Sequence, residues 1–183
     1  MRPRALRIAL VGNPQSVHLQ VYWRYLRERG HSVDVLTCGA AAFADMHVID
    51  VQPRIFNRMP LGPLTLAARL LKIARVLRAG DYDVVSLQYV STNAVMAALC
   101  WRGPLHVSYW GSDVHRLPLQ PKHVRLATPW LLRHADAIQS VSEYMTLELV
   151  GRGASLDRIE TFQYGVDTRV FSLPADESLR DPM

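Results

Sequence analysis

Disulfide chemistry has little to work with in this chain, whose 183 residues contain two cysteines, Cys38 and Cys100, both in apolar surroundings. Two thiols make no disulfide framework, and a reducing compartment, the cytoplasm, is the expected setting. Long hydrophobic runs are missing too: no stretch reaches the roughly 18 uninterrupted apolar residues of a membrane-spanning helix. The opening "MRPRALRIALVGNP" has a basic start and a short apolar run, but Arg7 interrupts it and no small-residue cleavage site follows. It reads as a first core strand rather than a signal peptide. Acidic residues are in deficit, 16 against 21 Lys and Arg, leaving a formal charge of +5. That excess favours anionic partners without choosing between a phosphate, a membrane surface and nucleic acid.

Several signatures of common chemistries are absent. The first strand ends "VGNPQS", so the G-x-G-x-x-G dinucleotide fingerprint does not follow it, and no G-K-[ST] phosphate loop, C-x-x-C pair or G-x-S-x-G elbow occurs. The seven His show no pair at metal-ligand helical spacing, so no metal site and no bound cofactor are expected. No basic tract is interleaved with aromatics, which argues against nucleic acid as the partner.

What the chain does have is a regular alternation of apolar strands and helical stripes. Strand-like runs occur at 6–12, 31–37, 46–51, 82–88, 105–110, 136–142 and 158–163. The run at 31–37 alternates apolar and polar. Between strands, Leu19, Tyr22, Trp23 and Leu26 make one helical stripe over 17–29, with Gly30 as its stop. Further helices are expected at about 63–79, 92–101, 128–135 and 143–151, the third starting at Thr128-Pro129, read as a cap followed by proline in the first turn. Strands apolar on nearly every residue, each followed by a helix, predict an α/β fold: a Rossmann-like, doubly wound parallel sheet of about six to seven strands in three α/β/α layers. Residues 1–171 form this domain. The polar, Pro-containing stretch 172–183 reads as a linker or tail.

In such sheets ligands gather beyond the carboxyl ends of the strands. The first of these ends is "GNPQSVH", where Gly12 permits a sharp turn and Asn13, Gln15, Ser16 and His18 surround a helix N-terminus. Ser16 there is either a plain N-cap or part of a seat for an anion or sugar hydroxyl. Gln88 closes another strand. In "YWGSDVH", Gly111 allows close backbone approach, Ser112 and Asp113 offer polar atoms, and Trp110 offers a stacking face; an Asx-capped strand end explains the same residues. Ser142 and Glu143 open a helix, as caps or as ligand groups. The helix at 64–80 carries Arg69, Lys72, Arg75 and Arg78 with no acidic residue, beside an apolar stripe of Leu66, Leu70, Ile73 and Leu77. Either the charges face water or the helix lies against anionic lipid.

Taken in order, "RIALVGNPQSVHLQVYWRYLRERGHSVDVLT", "YDVVSLQ", "HVSYWGSDV", "ADAIQSVSEYM" and "RIETFQYGVDTRVF" resemble the N-terminal domain of the family-4, GT-B-fold glycosyltransferases. The resemblance covers residues 6–171. It implies transfer of a sugar from a nucleotide-sugar to an acceptor with retention of configuration and no essential metal, the N-terminal domain binding the acceptor and a C-terminal domain the donor. By motif position it implies substrate-binding roles for Gly12, Asn13, Gln15, Ser16 and His18 and for Trp110–Asp113. Gly165 and Asp167 of "YGVD" mark the crossover to the second domain. Trp110 stands where many members have His and Tyr164 where Asn is common. Trp exchanges no protons, so Trp110 is expected to shape the turn and stack on a sugar, and no catalytic residue is assigned.

The donor-binding domain is expected to lie outside this sequence. The paired carboxylates of that domain are eight positions apart, a spacing that no two of Glu28, Glu143, Glu148, Glu160 and Glu177 have. The expected function is therefore the acceptor-binding half of a retaining glycosyltransferase, inactive alone, working on a cell-surface or lipid-linked glycan. Its expected partners are that acceptor, a donor domain in cis or on a separate chain, and an anionic membrane surface met through Arg69, Lys72, Arg75 and Arg78. The alternative is a non-catalytic glycan-binding or subunit-interaction module.

Overall fold

In a computed structural model the protein is described over residues 4–39, 45–53 and 62–165. Seven strands are interspersed with helices: β1 Arg7–Val11, α1 Val17–Glu28, β2 Ser32–Thr37, β3 His47–Asp50, α2 Pro63–Ala79, β4 Val84–Gln88 and α3 Thr92–Cys100. β5 Leu105–Ser108, α4 Ser112–His115, α5 Lys122–His134, β6 Ala137–Ser140, α6 Glu143–Gly151 and β7 Ile159–Thr161 follow. The strands form one sheet in the order β3-β2-β1-β4-β5-β6-β7, every pair parallel. The expected doubly wound fold is the one found.

Each face of the sheet builds its own core. On one, α1 lays Leu19 onto Ile8, Leu10, Val33 and Val35, with Tyr22, Trp23 and Leu26 packed at the edge. On the other, α2, α3 and α5 cover Ala9, Val11, Val85, Leu87 and Val107 with Ile73, Leu77, Ala94, Ala98, Leu131 and Leu132. Strands buried on both sides need apolar residues at consecutive positions, which is why their runs lack strict alternation.

That requirement corrects the alternating reading of 31–37. Asp34 does not face water; it is buried, accepting hydrogen bonds from the Tyr82 hydroxyl and His47 Nδ1, each at 2.7 Å, with Arg7 3.6 Å away. Burial works to raise its pKa, but those partners outweigh it and the net shift is downward. A second correction concerns α5, which starts at Lys122 and runs through Pro129. Thr128 is no cap: it is buried, and its hydroxyl donates to the carbonyl of Val124 one turn back at 2.9 Å. Proline lacks the N–H that would have bonded one turn back, a loss that packing of Leu131 and Leu132 offsets.

The basic helix is also rotated from its expected setting. α2 buries Thr65, Arg69, Ile73 and Leu77, whereas Leu66 and Leu70 are half-buried. Arg69 and Lys72 therefore turn inward, and of the four cations only Arg75 and Arg78 are exposed. No described helix is long and apolar enough to cross a membrane.

Candidate functional site

The chain runs outward from β1 to β3 in one direction and from β4 to β7 in the other, so the sheet reverses between β1 and β4. Loops leaving the two strands at such a reversal separate and open a crevice. Here it holds a cleft of about 720 Å³, lined by the ends of β1, β2, β4 and β5 and the first turn of α3.

The β1 turn forms one wall. The Gly12 N–H bonds the Leu36 carbonyl at 3.1 Å, tying the turn to β2. A Cβ at Gly12 would lie 2.7 Å from Leu19 Cδ1 and 3.0 Å from the Gln88 carbonyl oxygen, so only glycine fits between α1 and β4. Asn13 Oδ1 accepts from the Gln15 N–H at 3.0 Å, closing an Asx turn. Ser16 takes the N-cap position of α1, but its side chain makes no capping bond. The hydroxyl and the first N–H groups of α1 keep their hydrogen-bonding capacity.

The floor is polar and ordered. Gln88 is buried, its Nε2 donating to Ser86 Oγ at 2.8 Å, and Ser86 Oγ lies 2.7 Å from His106 Nδ1. Burial pushes the His106 pKa down to about 4; the ring is therefore neutral, and one proton is shared between the serine hydroxyl and Nδ1. Gln88 Oε1 has no partner among the described residues. One strand over, Ser108 Oγ donates to Gln139 Oε1 at 2.7 Å and receives the Trp110 indole N–H at 3.1 Å. Trp110 is thereby held at the mouth. His18 meets its face edge-on, with centroids 5.0 Å apart, and stacks on Tyr164 at 4.2 Å. Tyr89 lies on another side of the indole at 5.8 Å.

The turn after β5 shows why its polar residues occur together. Gly111 adopts φ +114°, a conformation L side chains rarely take. Asp113 lies beneath it, 1% exposed, its Oδ1 accepting from the N–H groups of Trp110 and Gly111, both at 3.0 Å, and its Oδ2 from Val90 N–H at 3.1 Å. Burial raises the Asp113 pKa, and these backbone donors partly counter it. The expectation that Asp113 offers its carboxylate to a ligand is corrected: both oxygens are spent on the backbone, and the residue joins the β4 and β5 turns. Ser112 does reach the cleft, with its hydroxyl 3.3 Å from that of Tyr89.

Among the residues expected to form a site, Gly12, Asn13, Gln15, Gln88, Trp110 and Ser112 come together around the cleft. Ser16, His18 and Gly111 adjoin it. Ser142 and Glu143 are not part of its lining. Ser142 Oγ caps α6 by accepting from Met145 N–H at 3.2 Å, and Glu143 is exposed in that helix's first turn. Gly165 borders a smaller apolar cavity beside α1, with Tyr22, Tyr25 and Phe162. Asp167 and the stretch 172–183 lie outside the described residues.

Tyr89 and Asn93, within the strand end 88–93 that the sequence singles out, also line the cleft, and so do Thr37–Gly39, which sequence reasoning passed over. Thr37 ends β2 and Cys38 and Gly39 follow it, and the rule that selected the other strand ends applies equally to them. Tyr89 carries φ +75°, strain at a cleft that only the folded backbone displays.

Among the described residues the lining contains amides, hydroxyls, the Cys38 thiol, backbone and one indole, and no carboxylate, ammonium, guanidinium or imidazole. Such a surface can hydrogen-bond a polyol and stack on its apolar face, and none of its described side chains is a carboxylate or an imidazole. Among the described residues no three His, Cys, Asp or Glu gather as a metal site requires.

The sequence profile of Glycosyltransferase Family 4 matches residues 15–170. No curated protein matches the sequence. Among solved structures, the fold is similar to sucrose-phosphate synthase from Thermosynechococcus elongatus, at 14% identity and TM-score 0.66, covering 93% of this chain and 53% of that one. It is similar to HepE of Anabaena, solved with UDP and glucose, at 17% identity and TM-score 0.62, covering 93% and 47%. The UDP-N-acetylglucosamine 2-epimerase of Rickettsia bellii matches at 11% identity and TM-score 0.62, covering 86% and 44%. The chain thus spans about half the length of these structures.

Proposed function

The chain belongs to Glycosyltransferase Family 4, and from that premise we propose that it is the acceptor-binding half of a retaining glycosyltransferase. In this reading the cleft between β1 and β4 seats the acceptor glycan, with Trp110 as its stacking face and the Gly12–Ser16 turn, Gln88 and Ser112 as hydrogen-bonding groups. The observation that carries it is the uncharged lining of amides and hydroxyls around one indole, the chemistry that suits a sugar. A nucleotide-sugar is supplied by a donor-binding domain, in the same polypeptide or on a separate chain. Closure of that domain over the cleft would bring the donor to the acceptor.

Trp110, braced by Ser108 and packed on His18, positions the acceptor and moves no proton. Gln88 Oε1 is a buried acceptor suited to a sugar hydroxyl. The acceptor is a cell-surface or lipid-linked glycan. Exposed Arg75 and Arg78 on α2 can hold the protein at the anionic cytoplasmic face of a membrane.

The test is glycan-array binding followed by titration of the best hit. Trp110→Ala is expected to weaken glycan binding by about tenfold or more under conditions where the variant remains folded. The 183-residue chain alone should show no transfer from UDP- or GDP-sugars. Robust turnover by the isolated chain, or glycan binding indifferent to Trp110, would refute the proposal.

A further inference from the structure

The corner of the cleft formed by β2, α2 and α3 holds a buried cation with no counter-ion among the described residues. Arg69 is 6% exposed, yet no carboxylate lies within ion-pairing distance of it among the described residues. Its guanidinium donates to two neutral carboxamide oxygens, Asn93 Oδ1 at 3.3 Å and Gln52 Oε1. Its Nε is buried with no partner among the described residues. Lys72, one turn on, donates to the Gln52 carbonyl at 2.9 Å. Asp50 is close by in the chain, but its Oδ1 accepts from the N–H groups of Gly39 and Gln52 and pairs with neither cation.

Burying an unpaired guanidinium is costly, and proteins normally place a carboxylate beside one. Here the surroundings run the other way: from Val51 to Gly80 the sequence contains no Asp or Glu. The uncompensated charge sits directly behind the cleft wall, because Asn93 and Cys38 both line the cleft and both meet at Asn93 Oδ1. With Oδ1 occupied by Arg69 and the Cys38 thiol, the remaining donors of Asn93 lie on the amide's Nδ2. The N-terminus of α3 supplies further N–H groups to the same corner.

We propose that this corner is a phosphate subsite. It takes the phosphate or diphosphate ester of the molecule seated in the cleft, with Asn93 as the direct donor and Arg69 and Lys72 as the positive field behind it. The inference deepens the acceptor reading and rests on it for the identity of the rest of the ligand. The charge asymmetry itself does not depend on that reading.

Calorimetry of the whole chain with inorganic pyrophosphate tests it directly. Saturable one-to-one binding is expected at millimolar ligand, weakened by about tenfold or more in Arg69→Gln. Because Arg69 is buried, that variant could simply fold less well, so Asn93→Asp is its companion. It gives Arg69 an internal counter-ion, and it should melt no lower than the wild type yet lose pyrophosphate binding. Arg27→Gln, an exposed change on α1, should bind normally. Absence of saturable binding, or binding undiminished in a well-folded Asn93→Asp, would overturn the proposal.

Neutral phosphatidylcholine vesicles with and without a polyprenyl diphosphate separate the two sources of phosphate. Arg69-dependent recruitment to the doped vesicles assigns a lipid-linked ester. Arg69-dependent pyrophosphate binding without recruitment assigns a soluble one. None of these readouts needs a donor or a transfer step. Loss of glycan binding with pyrophosphate binding intact counts against the acceptor reading alone, whereas the converse removes only the phosphate subsite.

Discussion

Substituting Asp113 tests the inference that its carboxylate organises the cleft from beneath rather than binding a ligand. In Asp113→Ala the N–H groups of Val90, Trp110 and Gly111 all lose their acceptor. Val90 is 1% exposed and its N–H has no route to water, whereas Trp110 and Gly111 are part-buried and can recover some hydration. At about 1–3 kcal/mol per stranded buried donor, with partial recovery at two of the three, the expected loss is about 3–5 kcal/mol. For a domain of this size that lowers the melting temperature by about 6–20 °C. Asp113→Asn is the discriminating variant. Its Oδ1 can keep the Trp110 and Gly111 bonds, but the amide then points a donor at the Val90 N–H, for a loss of about 2 kcal/mol. Urea titration followed by tryptophan fluorescence, at constant m, measures both. The pH dependence supplies an independent sign. Burial raises the folded carboxyl above its unfolded value of about 3.9. The folded state therefore holds the proton longer, and wild-type stability declines as pH rises through that window; Asp113→Asn removes this component. Asp113→Asn as stable as wild type, or a larger loss for Asn than for Ala, would refute the assignment.

Gly12→Ala forces a Cβ to 2.7 Å from Leu19 and 3.0 Å from the Gln88 carbonyl; calorimetry should show a loss of about 1–3 kcal/mol together with weaker ligand binding, because the cleft wall must shift. His106, with a folded pKa of about 4, stays neutral while the unfolded chain takes up its proton near pH 6.5. Stability is thus lost as pH falls between those values, by up to about 3 kcal/mol, and a comparison with His106→Gln across that range isolates the effect. Tyr82→Phe removes the 2.7 Å hydrogen bond to buried Asp34; equilibrium unfolding should show a loss of about 1–3 kcal/mol, with the nuclear magnetic resonance titration of Asp34 moving upward.

Most of the fold could be read from the chain because its signals are local. The bounds of α2 and α6 follow from helical periodicity and caps, and the strands from apolar runs closed by turn residues. α5 was placed one and a half turns late because Thr128-Pro129 carries a helix-start pattern, which the buried packing of the flanking leucines overrides. The four-residue α4 repeats no stripe and left no periodic trace. In the cleft, Gly12, Gln88, Trp110 and Ser112 were visible as strand-end residues of the right chemistry. Asp113 had the same chemistry and the same position, yet its carboxylate points into the turn.

The sequence by itself determined the doubly wound sheet, the ligand-type residues beyond its strand ends, and the turns at Gly12 and Gly111. Each depends on a run of neighbouring residues and on backbone sterics, whereas the reversal between β1 and β4 came from strand pairing. Tertiary structure alone decided which polar groups face the cleft. Arg69 lies on the same helix as Arg75 and Arg78, but the register of α2 on the sheet buries it behind Asn93 and leaves the other two in water. Direction and pairing depend on how elements distant in the chain pack together, so the same residue type is a solvated charge at one position and an uncompensated buried cation at another.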